Sequence, residues 1–136
     1  MNIEDGHRGY IAGVIDCDGS IFVASHNGSY RLGLSVFNSS RQLPEWFAST
    51  FGRKIYSIRR RSDKHSTEYS WTIYNKGAAD IIQKVLPFMV VKRKQALLAI
   101  EFAATLDIGS RLPESFKGIR QRVCEEMKEL NKRGVR

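Results

Sequence analysis

Ile11-Ala12-Gly13-Val14-Ile15-Asp16-Cys17-Asp18-Gly19 is the stretch on which the reading of this chain turns. It ends a segment, residues 7–17, in which Tyr10, Ile11, Val14 and Ile15 recur at three- and four-residue spacing and predict a helix. Small residues at Gly9, Ala12, Gly13 and Cys17 line another face, where a second helix could approach backbone to backbone. Asp18-Gly19 stops the helix, because glycine tolerates the turn that ends it. A carboxylate is thereby set at a helix end, and hard divalent cations prefer carboxylate and carbonyl oxygens. A second copy of the helix would bring a second Asp18 alongside the first. Two carboxylates a few Å apart repel and need cations between them. Such a pair can clamp the attacking and leaving oxygens of a phosphodiester. The plainer reading is a helix stop with two solvated acids.

The stretch is followed by two strand–turn–strand units. Residues 20–27, with Ile21, Phe22 and Val23, read as a strand, and His26-Asn27-Gly28-Ser29 as its turn. Residues 30–38 return, with Leu32, Leu34 and Val36 alternating against Arg31, Gly33 and Ser35. Residues 42–51 form a short helix with Leu43, Trp46, Phe47 and Phe51 on one face. A strand over 53–61 (Ile55, Tyr56, Ile58) runs into three arginines, and 62–67 is a polar loop. Residues 68–75 return with Tyr69, Trp71 and Ile73 inward. Helices over 78–86, stopped by Pro87, over 93–107 and over 114–132 complete the chain. Residues 1–136 read as one α+β domain of αββαββα order, a curved antiparallel sheet with helices on one face. Trp46, Trp71 and Cys124 are expected in the core, and Cys17 as packing in a helix pair.

Composition bounds the function. The chain has 136 residues, 42% of them hydrophobic, enough to bury a core. No apolar run is long enough to cross a bilayer, and the polar start MNIEDGHRGY does not read as a signal peptide. Two cysteines are too few for a disulfide scaffold and fit a reducing compartment. The expectation is an intracellular protein of cytoplasm, nucleoid or organelle, neither secreted nor membrane-bound. Net charge is +8, and residues 52–64 concentrate it: Arg53, Lys54, Arg59, Arg60, Arg61 and Lys64 against Asp63 alone. A basic stripe of this kind is the footprint of phosphate contact, or else a solvated hairpin tip. His7, His26 and His65 have no metal-ligand spacing.

Residues 11–19 resemble the LAGLIDADG signature. Ala12, Gly13, Ile15, Asp16, Asp18 and Gly19 are identical to it, Ile11 and Val14 replace leucines, and Cys17 replaces a small alanine. The element order from about residue 8 to 130 also looks like the LAGLIDADG homing endonucleases. The resemblance implies a metal-dependent DNA endonuclease that hydrolyses both strands at a long pseudo-palindromic site. It implies Mg²⁺ as cofactor, with Mn²⁺ able to substitute, held by Asp18 and the Gly19 carbonyl, while Asp16 supports the helix pair. A single motif implies a homodimer meeting through Ala12, Gly13, Asp16 and Cys17. Pro87-Phe88 and Lys92-Arg93-Lys94-Gln95-Ala96 resemble the family's segment before its long helix, which makes Lys92 the lysine near the active site, with Lys94 as the alternative. Asn38 falls where the family often has a water-holding glutamine. The same fold also implies two rivals, a non-cleaving DNA-binding protein and an RNA maturase that assists intron splicing. A basic structural protein without sequence preference is a third.

Base reading is expected from the sheet face that carries no helices. Alternation turns Phe22, Ala24 and His26 outward, then Arg31, Gly33 and Ser35, then Ser57, Arg59 and Arg61, then Ser70 and Thr72. Arg31, Arg59 and Arg61 are the candidate base readers, since arginine pairs bidentately with guanine O6 and N7. Arg53, Lys54 and Arg60 are candidate phosphate contacts.

Overall fold

The computed structural model describes residues 4–59, 67–106 and 111–132. Helix α1 (Asp5–Asp18) leads directly into β1 (Gly19–His26) and β2 (Ser29–Asn38), followed by α2 (Gln42–Phe51), β3 (Ile55–Arg59) and β4 (Thr67–Tyr74). Helices α3 (Lys76–Val85), α4 (Arg93–Ala103) and α5 (Glu114–Leu130) follow, with a 3₁₀ turn over Leu86–Phe88 where Pro87 ends the α-helical ladder. The sheet is antiparallel throughout, in the order β1-β2-β4-β3. This is the expected α+β arrangement. Arg61 and Arg60, read above as base and phosphate contacts, lie outside the described residues.

One turn sets the register on which the site depends. Asn27 and Gly28 both have positive φ, +50° and +80°. That is the two-residue hairpin turn whose twist matches the strands it joins. It pairs His26 with Ser29 and, at the other end of the ladder, Gly19 with Val36. Asn38 therefore extends past the last pair, beside the end of α1.

The pleat then sorts the faces. Ile21, Leu32, Leu34, Val36 and Trp71 are fully buried, and Val23 and Ile73 nearly so. They form one core with Ile11, Ala12 and Ile15 of α1 and with the inner faces of α2 to α5. The Trp71 indole N–H donates to the Gly52 carbonyl at 2.7 Å, so its burial leaves no donor unpaired. Cys124 is in the core as expected. Trp46 is only half-buried; it meets Tyr10 and Phe47 edge-to-face at the margin of α1 and α2.

Candidate catalytic centre and nucleic-acid face

A helix ends with carbonyl oxygens that have no intrahelical donor. The last turn of α1 carries no basic residue of its own. The Ile15 carbonyl accepts the Gly19 N–H, and a further donor comes from 77 residues away: Lys92 Nζ donates to the carbonyls of Ile15 at 3.0 Å and Asp16 at 2.8 Å. Its cation thus sits at the negative end of the helix dipole, and the side chain is 4% exposed. Asp16 answers in the opposite direction. Its carboxylate accepts the backbone N–H groups of Val90 and Lys92, both at 2.9 Å. Asp16 and Lys92 thus lock the 90–92 turn to α1 by four hydrogen bonds. The expected support of a helix pair by Asp16 becomes, in this geometry, support of its own chain.

Gly19 is fixed by space. Its φ of −110° suits any residue, but an added Cβ would lie 2.7 Å from Ile15 Cα and 2.9 Å from Ile15 O. Both atoms are backbone and cannot yield. The close approach lets the chain pass from helix to strand with no loop between them, so Asp18 is held at the junction. Asp18 is exposed, and Asn38 Nδ2 donates to its Oδ2 at 3.1 Å. Asp18, Gly19, Ser20 and Lys92 line a cleft of ≈ 560 Å³ together with Phe37, Glu68 and Asn131. Asn131, at the end of α5, is tied to β1 through the Ile21 carbonyl at 2.8 Å.

Expected catalytic and metal residues are thus brought together in one place. Asp18, Asn38, Gly19 and Lys92 converge, although Lys92 faces helix carbonyls. Among the described residues no three His, Cys, Asp or Glu side chains are grouped to hold a metal. One chain offers a single exposed carboxylate beside the Gly19 backbone. That donor set is hard oxygen, the kind that suits Mg²⁺, and too small to enclose it.

The outer side of α1 is bare. Gly6, Gly13 and Cys17 are exposed along one stripe, with Tyr10 49% exposed beside it. A Cβ added at Gly6, Gly9 or Gly13 would meet nothing within 4 Å outside the helix itself. Val90 and Val91, carried on the turn that Asp16 pins, are 80% and 52% exposed. Ala12 is different. It is fully buried within the chain and has no surface to offer a partner, since it is turned about 100° around the helix from Gly13, toward the core.

The outer face of the sheet follows the expected alternation on three strands. Phe22 lies over Gly33, where a Cβ would meet its ring at 2.3 Å, and packs edge-on against Tyr74. Arg31 is exposed and stacks on the Tyr74 ring with its guanidinium carbon 3.8 Å from the centroid. His26 is exposed at the hairpin tip, in a cleft shared with Arg31 and Tyr30. Ser35 and Ser70 are on this face but sunken, 3% and 7% exposed, and Ser35 Oγ shares a 2.7 Å hydrogen bond with Thr72 Oγ1. They floor the face without rising from it.

The third strand departs from the expected register by one residue. Tyr56 pairs with Ser70 and Ile58 with Glu68, which puts Tyr56 and Ile58 on the outer face. Ser57 pairs with Tyr69, and Arg59 with Thr67, in the row of Ile55 and Trp71. Tyr56 and Ile58 line a groove of ≈ 1110 Å³ with Arg31, Arg53, Lys54, Ser70, Thr72 and Tyr74. Tyr56, Ile58 and Tyr74 were not among the residues expected on this face. Carrying the outward alternation of Ser70 and Thr72 one step further would have found Tyr74.

Solved structures share this fold. The archaeal intron-encoded homing endonuclease I-Vdi141I complexed with DNA has a TM-score of 0.73 at 23% identity, over 98% of this chain and 89% of that one. I-CvuI, a homing endonuclease in complex with its target in the presence of Ca, has 0.69 at 19%, over 96% and 85%. The LAGLIDADG homing endonuclease I-GzeII in complex with its DNA target has 0.68 at 18%, over 100% of this chain and 47% of that one. The fold is that of the LAGLIDADG homing endonucleases. No family model and no curated protein matches the sequence. In the LAGLIDADG fold of this chain, the signature stretch is the end of α1 and its junction with β1, where Asp18 and Asn38 meet. Among the described residues no helix is long and apolar enough to cross a membrane.

Proposed function

We propose that this chain is a site-specific double-strand DNA endonuclease that acts as a homodimer. The observation that carries the reading is an exposed Asp18 at the end of a helix whose outer stripe is Gly6, Gly13 and Cys17. Two such stripes, related by a two-fold axis, allow the helix backbones to approach closely. The two Asp18 carboxylates then share one locus, and their mutual repulsion favours bound cations. Tyr10, Val90 and Val91 provide the apolar flanks that a partner would cover.

Mg²⁺, with Mn²⁺ as substitute, would supply Lewis acidity at the phosphate and an acidified water. Asp18 and the Gly19 carbonyl would hold it. Asn38 keeps the Asp18 carboxylate oriented, and Lys92 acts as a positioning residue by fixing the two carbonyls that precede Asp18. Water attacks phosphorus and the sugar oxygen leaves, with no covalent bond to the protein.

Double-stranded DNA fits the outer sheet face. Arg31 is a base reader with its guanidinium plane set by Tyr74; Arg53 and Lys54 reach phosphates. From Gly19 to His26 the strand spans roughly 23 Å at about 3.3 Å per residue. At about 3.4 Å per base pair that is roughly seven base pairs from each copy.

Selection of cleaved sites from a randomised, palindrome-biased duplex pool with Mg²⁺ tests the reading. Wild type is expected to yield one two-fold symmetric consensus. Asp18→Asn is expected to bind that consensus and leave it intact. Tight, selective binding by wild type without any cutting would instead make the chain a non-cleaving binder. Absence of any preferred sequence at physiological salt would remove the reading altogether.

A further inference from the structure

The groove on the outer face of the sheet mixes two chemistries. Arg31, Arg53 and Lys54 line it, as a phosphate-facing surface requires. Between them stand two large apolar side chains with little to cover them: Tyr56 is 64% exposed and Ile58 49%. Their partners across the ladder, Ser70 and Glu68, are both polar. Apolar surface left in water is unfavourable, and on a strand at the sheet edge it also invites wrong pairing.

In the major groove the four base pairs differ in donors and acceptors, and only thymine adds an apolar group, its 5-methyl. We infer that Tyr56 and Ile58 form an apolar edge that reads thymine methyl groups in each half-site. This inference rests on the DNA-binding reading above and adds the base class that this part of the face selects. The register also sets where the contacts fall. Ile58 lies opposite Glu68, which lines the Asp18 cleft, whereas Arg31 lies five residues beyond Val36 along β2, toward the hairpin tip. The thymines therefore lie nearer the cut than the guanine read by Arg31. Tyr56 and Ile58 are two residues apart, about 6.6 Å along the strand, which matches two base-pair steps of about 3.4 Å.

The test uses the full chain and two randomised duplex pools, one built with thymidine and one with deoxyuridine, which lacks only the methyl. Ca²⁺ replaces Mg²⁺ so that binding is read apart from cutting. Wild type is expected to enrich thymine at two positions about two base pairs apart in each half. With deoxyuridine the enrichment at those positions falls about four-fold each, the worth of one buried methyl, and other positions are unchanged. Tyr56→Ala and Ile58→Ala are each expected to abolish one of the two preferences without lowering the melting temperature, because both side chains are exposed. Tyr56→Phe is expected to keep its preference. A sharp consensus insensitive to deoxyuridine and to both alanine variants overturns the inference and leaves the DNA reading standing. A wild-type protein that enriches no sequence from either pool overturns the DNA reading itself, and this inference with it.

Discussion

At the end of α1 the backbone and the two acids are held by hydrogen bonds, whereas on the outer face of β3 Tyr56 and Ile58 are exposed. Ile15 and Asp16 give their carbonyls to Lys92, the Asp16 carboxylate holds two backbone N–H groups, Asp18 is held by Asn38, and Gly19 is wedged against Ile15. Tyr56, Ile58, Arg53 and Lys54 stand in solvent. The proposed hydrolysis needs oxygen ligands held to fractions of an Å, and the hydrogen bonds at the helix end suit that need. Base reading needs side chains that can be exchanged without unfolding the protein. The same chain thus keeps a rigid centre and a replaceable face, joined by the β1–β2 hairpin.

The largest expected effect sharpens that comparison with two glycines six residues apart. Gly19→Ala forces a Cβ against backbone and is expected to cost about 3 kcal/mol. Gly13→Ala meets nothing within 4 Å and is expected to stabilise the isolated chain by about 0.5–1 kcal/mol, the usual gain for a helical glycine replaced by alanine. Urea unfolding reads both. Equal losses would mean that the close approach at Gly19 is not what sets its identity.

Lys92→Met comes next. It keeps the aliphatic stem but removes a donor from the Asp16 carbonyl and the second donor from the Ile15 carbonyl, which retains the Gly19 N–H, and is expected to cost about 1–2 kcal/mol in urea unfolding. Cutting should fall further than stability explains, because the carbonyls it holds precede Asp18. A variant of unchanged stability would show that the helix end satisfies itself.

Arg31→Ala is expected to change stability least. Its melting temperature should match wild type, since the side chain is exposed. Selected sites should lose their preference at one base pair per half, worth about 1–3 kcal/mol. A uniform loss of affinity with the same consensus would make Arg31 a phosphate contact.

Much of this was legible in the residues, for reasons that differ by region. The α1 period, the Asn27-Gly28 turn and the alternation over Leu32, Leu34 and Val36 are strong local signals that place α1, β1 and β2, whereas Asn38 was named through the family resemblance and its contact with Asp18 is tertiary. β3 is short and lies at the sheet edge, and Ile55, Tyr56 and Ile58 fit either face. Only pairing with β4 resolves it, and that is a long-range fact. Lys92 shows the same limit: a lysine near the site was expected, but its service to carbonyls 77 and 76 residues away is tertiary. Ala12 and Gly13 are neighbours and both small, yet one faces the core and the other solvent, which a stripe of small residues does not distinguish.

The central claim is that two copies of α1 bring their Asp18 carboxylates to shared cations. A crystal structure of the chain on its selected duplex with Ca²⁺ tests it directly. Cations are expected about 2.3–2.6 Å from Asp18 oxygens of both copies, between them and the phosphates. Asp18 carboxylates that face separate regions of solvent, with no cation bound to either, would contradict it.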